Sequence, residues 1–180
     1  MTEDRFTSSV PWCPNPQYWH SQDGEGTEHE VTELVAAFVR ALQPDVAVET
    51  GTWEGQTTEA IGVALHKNGH GHLYAVEINF ECVAQARRAC TGLPVTVVAG
   101  DSASWDVPDR IGFAWVDSGT TRGRDIEHLL PRMIPGAVIG VHDAAPHHTV
   151  RPQLFPFEER GELRVITLRT PRGVSFAEVL

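Results

Sequence analysis

Val46-Ala47-Val48-Glu49-Thr50-Gly51-Thr52-Trp53-Glu54-Gly55, continuing through TTEAIGVALHKNG to Gly69, is the stretch on which the fold turns. VAVET (46–50) is a short β-branched run, and residues 57–69 read as a helix closed by Asn68-Gly69. Strand, polar loop and helix in that order make one β-loop-α unit.

The unit repeats downstream. LYAVEI (73–78) precedes a helical stretch over FECVAQARRAC, VTVVAG (95–100) is a third strand and FAWVDS (113–118) a fourth. Residues 124–133 predict a helix, AVIGVHD (137–143) a fifth strand, and 149–160 a helical connection broken by Pro152 and Pro156. LRVITLRT, the turn Pro171-Arg172-Gly173 and VSFAEVL read as a closing hairpin. Strands separated by helical crossovers require a mostly parallel sheet with helices on both faces, and the hairpin adds antiparallel edge strands. The expected fold is α/β, a doubly wound seven-stranded sheet.

Upstream, Thr27-Glu28-His29-Glu30 matches a capping box, with Val31, Leu34, Val35, Phe38, Val39 and Leu42 forming one apolar helix face that stops at Pro44. Residues 1–26 differ in character. Pro11, Pro14 and Pro16 exclude a helix interior, while Trp12, Tyr18, Trp19 and His20 predict an ordered arm that either seals the core or covers a substrate.

Composition narrows the function. The 180 residues, 41% hydrophobic, bury one substantial core, so residues 27–180 are read as one domain carrying the 1–26 arm. A net charge of -10 with scattered basic residues repels a phosphate backbone, which argues against nucleic acid. No apolar run reaches the length of a membrane span, and MTEDRFTSSV has acids where a signal peptide needs an apolar stretch. A cytoplasmic protein is expected. Cys13, Cys82 and Cys90 form neither a C-x-x-C pair nor an even set, so a disulfide framework or thiolate zinc site has little support.

In an open doubly wound sheet, ligands bind beyond the carboxyl ends of the strands, where strand order reverses. The loop after the first long strand has Gly51 and Gly55 in place of G-x-G-x-x-G, and it carries Glu49 and Glu54. Acids beside a helix N-terminus oppose a pyrophosphate and suit a cationic ligand. Glu77 ends the second strand where a carboxylate can accept ribose hydroxyls, and Asp101-Ser102 follow the third, where they can hydrogen-bond adenine. Asp117 closes the fourth strand and His142-Asp143 the fifth.

ETGTWEG, AVEIN, AGDS and RVITLRTPRGVSFAEVL, in this order and at successive strand ends, resemble the class I S-adenosylmethionine-dependent methyltransferases. VETGTWEGQTTEAI and GVHDAAPHH look most like a small-molecule branch associated with secondary metabolism and sugar tailoring. The resemblance implies a Rossmann-like sheet, S-adenosylmethionine as cofactor and a small-molecule acceptor methylated on oxygen. It places Gly51 and Gly55 along the methionine portion, Thr52 among the cofactor-binding residues, Glu49 near the sulfonium, Glu77 on the ribose and Asp101 with Ser102 on the adenine. Trp53 and Trp105 either cover the adenine or fill the core, Trp105 being the better candidate for the adenine.

Catechol-type members of the group bind magnesium with acids at the ends of the fourth and fifth strands, positions comparable to Asp117 and Asp143. Here His142 stands beside Asp143 where those relatives have an Asp-Asn pair, which weakens the magnesium reading. His142, oriented by Asp143, is the alternative as general base, and capping of the following segments is the structural alternative for both acids. His147 and His148 are loop residues near that end. His66, His70 and His72 fall at the opposite end of the sheet. A nucleotide-dependent oxidoreductase and a non-catalytic scaffold are the rival readings, and a homodimer is the expected assembly.

Overall fold

The computed structural model describes residues 4–5, 12–21 and 26–180. What was expected of the remaining arm residues, Pro11 included, lies outside these. A two-residue ribbon pairs β1 (Asp4–Arg5) with β2 (His20–Ser21). The chain continues through α1 (His29–Leu42), β3 (Val46–Thr50), α2 (Gln56–Asn68), β4 (His72–Glu77), α3 (Phe80–Ala89), β5 (Val95–Ala99) and β6 (Ile111–Val116). Next come α4 (Arg122–Leu129), β7 (Met133–His142), α5 (Phe155–Glu159), β8 (Leu163–Leu168) and β9 (Val174–Val179).

The main sheet has seven strands in the order β5-β4-β3-β6-β7-β9-β8. β5 to β7 are parallel, and β9 runs antiparallel to both β7 and β8. This is the doubly wound arrangement that the alternating strand and helix pattern predicts. The chain leaves β3 toward β4 and β5, then returns to β6 on the other side of β3. The crevice at that reversal is where such sheets hold ligands.

Burial follows the period-2 geometry of strands. Phe113 and Trp115 of β6 join Val31, Val35, Val39, Ile61 and Leu65 of α1 and α2 on one face. Ala114 and Val116 join Ile126, Leu129 and Leu154 on the other. Every β6 residue is buried, as a central strand covered on both faces requires.

Several boundaries differ from expectation, β6 among them at Ile111–Val116 rather than 113–118. α4 starts at Arg122 and gives way to a 3-10 turn at Pro131, so β7 begins at Met133 rather than 137. The capping box at 27–30 does not form: Glu28 is the N-cap and no side chain caps α1. Its members have stronger partners elsewhere. Thr27 Oγ1 donates to Asp117 Oδ2 at 3.1 Å, and Glu30 pairs with His20 Nδ1 at 2.7 Å.

The hairpin positions the site. His142 pairs with Val174, which sets the β8–β9 turn beside the carboxyl end of β7. Ala144 N–H donates to Gly173 O and Ala145 N–H to Arg172 O, both at 2.9 Å. Gly173 has φ +78°, and a Cβ there would lie 2.1 Å from Ala145 N. Backbone cannot yield as a side chain can. Gly173→Ala is expected to destabilise the fold by about 2 kcal/mol or more, measured by urea denaturation.

Candidate active site

Thr50 pairs with Val76 and with Val116, so β3, β4 and β6 end at one level and release their loops side by side. Gly51 N–H donates to Val76 O, and a Cβ on Gly51 would lie 2.7 Å from Asp117 O. Only a glycine lets this loop pass between its neighbours. A cavity of about 660 Å³ opens here, walled by Gly51, Thr52, Glu77, Asp101, Ser102, Asp117 and Asp143 among others.

Glu77 is set by backbone. Its Oε2 accepts from Thr52 N–H at 2.9 Å and Trp53 N–H at 3.1 Å, while Oε1 accepts from Asn79 N–H at 2.8 Å. One lone pair on Oε1 remains for a ligand hydroxyl. Asp101 Oδ1 accepts from Ala103 N–H at 3.0 Å, and Ser102 Oγ donates to Asp125 Oδ1 at 2.8 Å. Asp125 of α4 also accepts from Thr50 Oγ1 and Ser118 Oγ, which ties the ends of β3, β5 and β6 together.

Glu49 is different. It borders the cavity, is 0% exposed, and neither carboxylate oxygen has a hydrogen-bond partner. Burial pushes its carboxyl up to about 8; the nearby Thr58 hydroxyl opposes this only in part, and the charges of Asp117 and Glu77 add to it. A buried acid without a partner favours a cation that can neutralise it.

At the other end of the cavity lies a buried ion cluster. His142, 1% exposed, points Nε2 at Glu28 Oε2 (2.8 Å) and Nδ1 at Asp117 Oδ2 (3.1 Å). Arg122 Nη2 bridges Asp117 Oδ1 at 2.5 Å and Asp143 Oδ2 at 2.7 Å, and Arg172 Nε donates to Asp143 Oδ1 at 2.7 Å. Arg172 N–H donates to Glu28 Oε1, closing the ring. Three carboxylates thus face two guanidiniums and one imidazole.

Burial alone would lower the His142 pKa, but Asp117 and Glu28 outweigh it and hold it at about 10. The imidazole is therefore charged at neutral pH, with both nitrogens donating. This corrects the general-base reading: His142 has no free lone pair and is not in the cavity wall. Burial works to raise the Asp143 carboxyl, yet His142, Arg172 and Arg122 hold it well below the usual carboxylate range. Asp117 is held low by His142 and Arg122 against its own burial.

Asp117, His142 and Asp143 bring ligand atoms within 4.8 Å of one another. The donor set nevertheless does not fit a divalent cation as it stands, because arginines and the imidazolium already occupy the oxygens a metal needs. Asp143 has φ +59°, a backbone conformation uncommon outside glycine.

Two of the expected cofactor residues lie outside the cavity wall. Trp105 is not among the cavity residues and packs on the second core cluster, whereas Trp53 borders the cavity and is 55% exposed. Gly55 lies outside the cavity wall as well. A Cβ there would sit 2.7 Å from Ala86 Cα, so Gly55 serves the packing of α2 on α3. Sequence reasoning missed Asp125 and Arg122, single charged residues in no motif, read Arg172 only as a turn residue, and took Glu28 for an interior residue of a capping box.

Beyond Asp143, a smaller hollow of about 330 Å³ is lined by Trp12, Pro146, His148, Pro152 and Phe155 among others. His148 Nε2 lies 3.5 Å from Asp143 Oδ1, so the hollow adjoins the cluster. Trp12 is fixed by Nε1 donating to Thr170 O at 3.1 Å.

A family profile described as a methyltransferase domain matches residues 48–144, more than half of the chain. The chain belongs to this family. No curated protein sequence matches it. Among solved structures, the chain is similar to the O-methyltransferase TomG of Streptomyces achromogenes, involved in tomaymycin synthesis and solved with SAM. Identity is 18% and the TM-score 0.73, covering 87% of this chain and 82% of that one. An O-methyltransferase from Bacillus cereus, solved with SAH, is 16% identical with TM-score 0.73, covering 87% and 83%. A methyltransferase from Geobacter sulfurreducens is 18% identical with TM-score 0.74, covering 87% and 81%. No helix among the described residues is long and apolar enough to cross a membrane.

The cluster makes stability depend on pH. His142 has a folded pKa of about 10, above its unfolded value near 6.5. Its contribution is full below about 6.5 and is lost as pH rises toward 10. Thermal unfolding monitored by circular dichroism is expected to show a melting temperature that falls across that window. His142→Gln, which leaves Glu28 buried without its cation, is expected to cost about 3–5 kcal/mol in denaturant titrations at neutral pH.

Proposed function

We propose that this chain is an S-adenosylmethionine-dependent methyltransferase that methylates an oxygen of a small molecule. The observation that carries the reading is Glu49, a buried carboxyl with no cationic partner in the wall of a cavity at the strand-order reversal. An ammonium group of the cofactor's methionine portion supplies the missing charge. The similar O-methyltransferases solved with SAM or SAH share this sheet and support the assignment.

When bound, the cofactor supplies an electrophilic methyl group on a sulfonium. The chain's own residues position the reactants. Glu77 accepts a ribose hydroxyl with its remaining lone pair, and Asp101 takes the adenine amino group, since the Ser102 hydroxyl proton is already given to Asp125. Trp53, rather than Trp105, offers an aromatic face beside the cavity. Asp143 borders the cavity, where an acceptor hydroxyl can donate to a remaining lone pair.

The acceptor side is the hollow faced by Trp12, which supports reading the N-terminal arm as a lid. The same arm also seals the core through Trp19, so both roles fall to one segment. A nucleotide-dependent oxidoreductase is disfavoured by the acids that meet any incoming pyrophosphate.

Calorimetry with S-adenosylhomocysteine, beside NAD, tests the reading. Saturable binding of the first alone is expected, and its absence in folded protein would sink the assignment. Glu77→Gln is expected to weaken binding by about 1.5–3 kcal/mol, the loss of a charged hydrogen bond. Glu49 adds a proton signature. With its carboxyl at about 8 in the free protein, pairing with the ligand ammonium releases a proton at neutral pH. Titrations in buffers of different ionisation enthalpy are expected to detect that proton in wild type and to lose it in Glu49→Gln.

A further inference from the structure

We propose that Arg122 takes the place of a divalent cation between Asp117 and Asp143, so that this chain transfers its methyl group without a metal ion. The inference rests on the methyltransferase reading for its reaction, but on the ion cluster alone for its metal chemistry.

Asp117, His142 and Asp143 are the one group among the described residues whose donors converge closely enough to hold a metal. Each is already engaged. Arg122 Nη2 touches one oxygen of each aspartate, at 2.5 and 2.7 Å, as a bridging cation would. Arg172 holds the second oxygen of Asp143, and Thr27 with His142 holds the second oxygen of Asp117.

His142 cannot serve as a ligand while it donates to two carboxylates, because a metal needs a lone pair and not an N–H. Charge points the same way. Glu28, Asp117 and Asp143 balance His142, Arg122 and Arg172, so an added divalent cation would leave a buried excess of two charges. Arginine does not lose its proton to make room, and the Arg122 side chain is only 5% exposed.

A guanidinium does part of a cation's work. It fixes the ends of β6 and β7 at a set distance and keeps Asp143 ionised at the cavity wall. It does not accept two oxygens of a substrate as ligands. The acceptor therefore needs no adjacent pair of oxygens, and one hydroxyl donating to Asp143 suffices. Arg122 is in this sense a positioning residue.

The test follows the Mn²⁺ electron paramagnetic resonance signal in titrations with wild type, Arg122→Lys and Arg122→Ala, beside S-adenosylhomocysteine calorimetry with and without chelator. Wild type and Arg122→Lys are expected to leave the free Mn²⁺ signal intact, and chelator to leave the ligand affinity unchanged. Arg122→Ala, where circular dichroism shows it folded, is expected to bind Mn²⁺ at least roughly tenfold more tightly than wild type. Stoichiometric Mn²⁺ binding by wild type that Asp143→Asn removes would overturn the proposal, as would a chelator-induced loss of ligand affinity. If Arg122→Ala does not fold, the wild-type titration decides alone. Failure to bind S-adenosylhomocysteine under every condition would overturn the methyltransferase reading and leave the Mn²⁺ result standing.

Discussion

The charged His142 imidazole between Glu28 and Asp117 is the contact on which the rest of the site depends. It joins parts of the chain that sequence keeps far apart: the start of α1, the end of β6 and the end of β7. Through Glu28 and Asp143 it reaches Arg172 in the β8–β9 turn. The closing hairpin is thus more than an edge to the sheet. Its antiparallel return delivers a guanidinium and a backbone amide to the carboxyl end of β7, which a further crossover helix would not. Buried ion pairs of this kind add little net stability, because desolvation offsets most of the attraction. Their effect is geometric. Each member is held by at least two partners, so the loops that carry them are tied to one arrangement.

The acids at the strand ends divide into two sorts. Asp117, Asp125, Asp143 and Glu28 have their charge or lone pairs met by the protein itself. Glu77 is nearly so, held by three amides. Glu49 is the exception, enclosed by β-sheet and the loop at Gly51 with no cation to pair with. In a native interior such a group is rare unless it has a use. Proximity to Asp117 and Glu77 adds repulsion to desolvation, so in the free protein its proton stays on through neutral pH. A ligand bearing an ammonium group exchanges that proton for an ion pair.

The fold was legible because it is written in local periodicity. Apolar runs of five or six residues, each followed by polar residues and a helical repeat, give the seven strands. Pro171-Arg172-Gly173 gives the hairpin. Strand ends were equally legible, and with them Glu49, Glu77, Asp101, Asp117 and Asp143 as cavity residues. The partners of these residues were not. Whether Thr27 caps a helix or donates to Asp117 is decided by what stands opposite it in space, and residues 27 and 117 share no local pattern. His142 illustrates the cost. Beside Asp143 in sequence it reads as a base oriented by a carboxylate, but Glu28, over a hundred residues away, takes its second nitrogen. Trp105 packs against the second core cluster for a similar reason, since a loop's direction is set by packing and not by composition.

The same cluster constrains how the acceptor can be activated. A base must have an accessible lone pair near the acceptor oxygen and an affinity for protons close to ambient pH. His142 has the affinity inverted: its proton is held too tightly and its nitrogens are enclosed. Asp143 has the position but is ionised far too firmly to keep a proton. In the proposed reaction it orients a hydroxyl and stabilises the charge that grows on its hydrogen as the methyl group transfers. That division suits an acceptor whose oxygen is already acidic or whose proton can pass on to solvent, and it leaves the proposed reaction to depend on alignment, which can remove a large share of the barrier to in-line displacement. Arg122 and Arg172 matter to this chemistry by holding Asp143 in place, not by touching the acceptor.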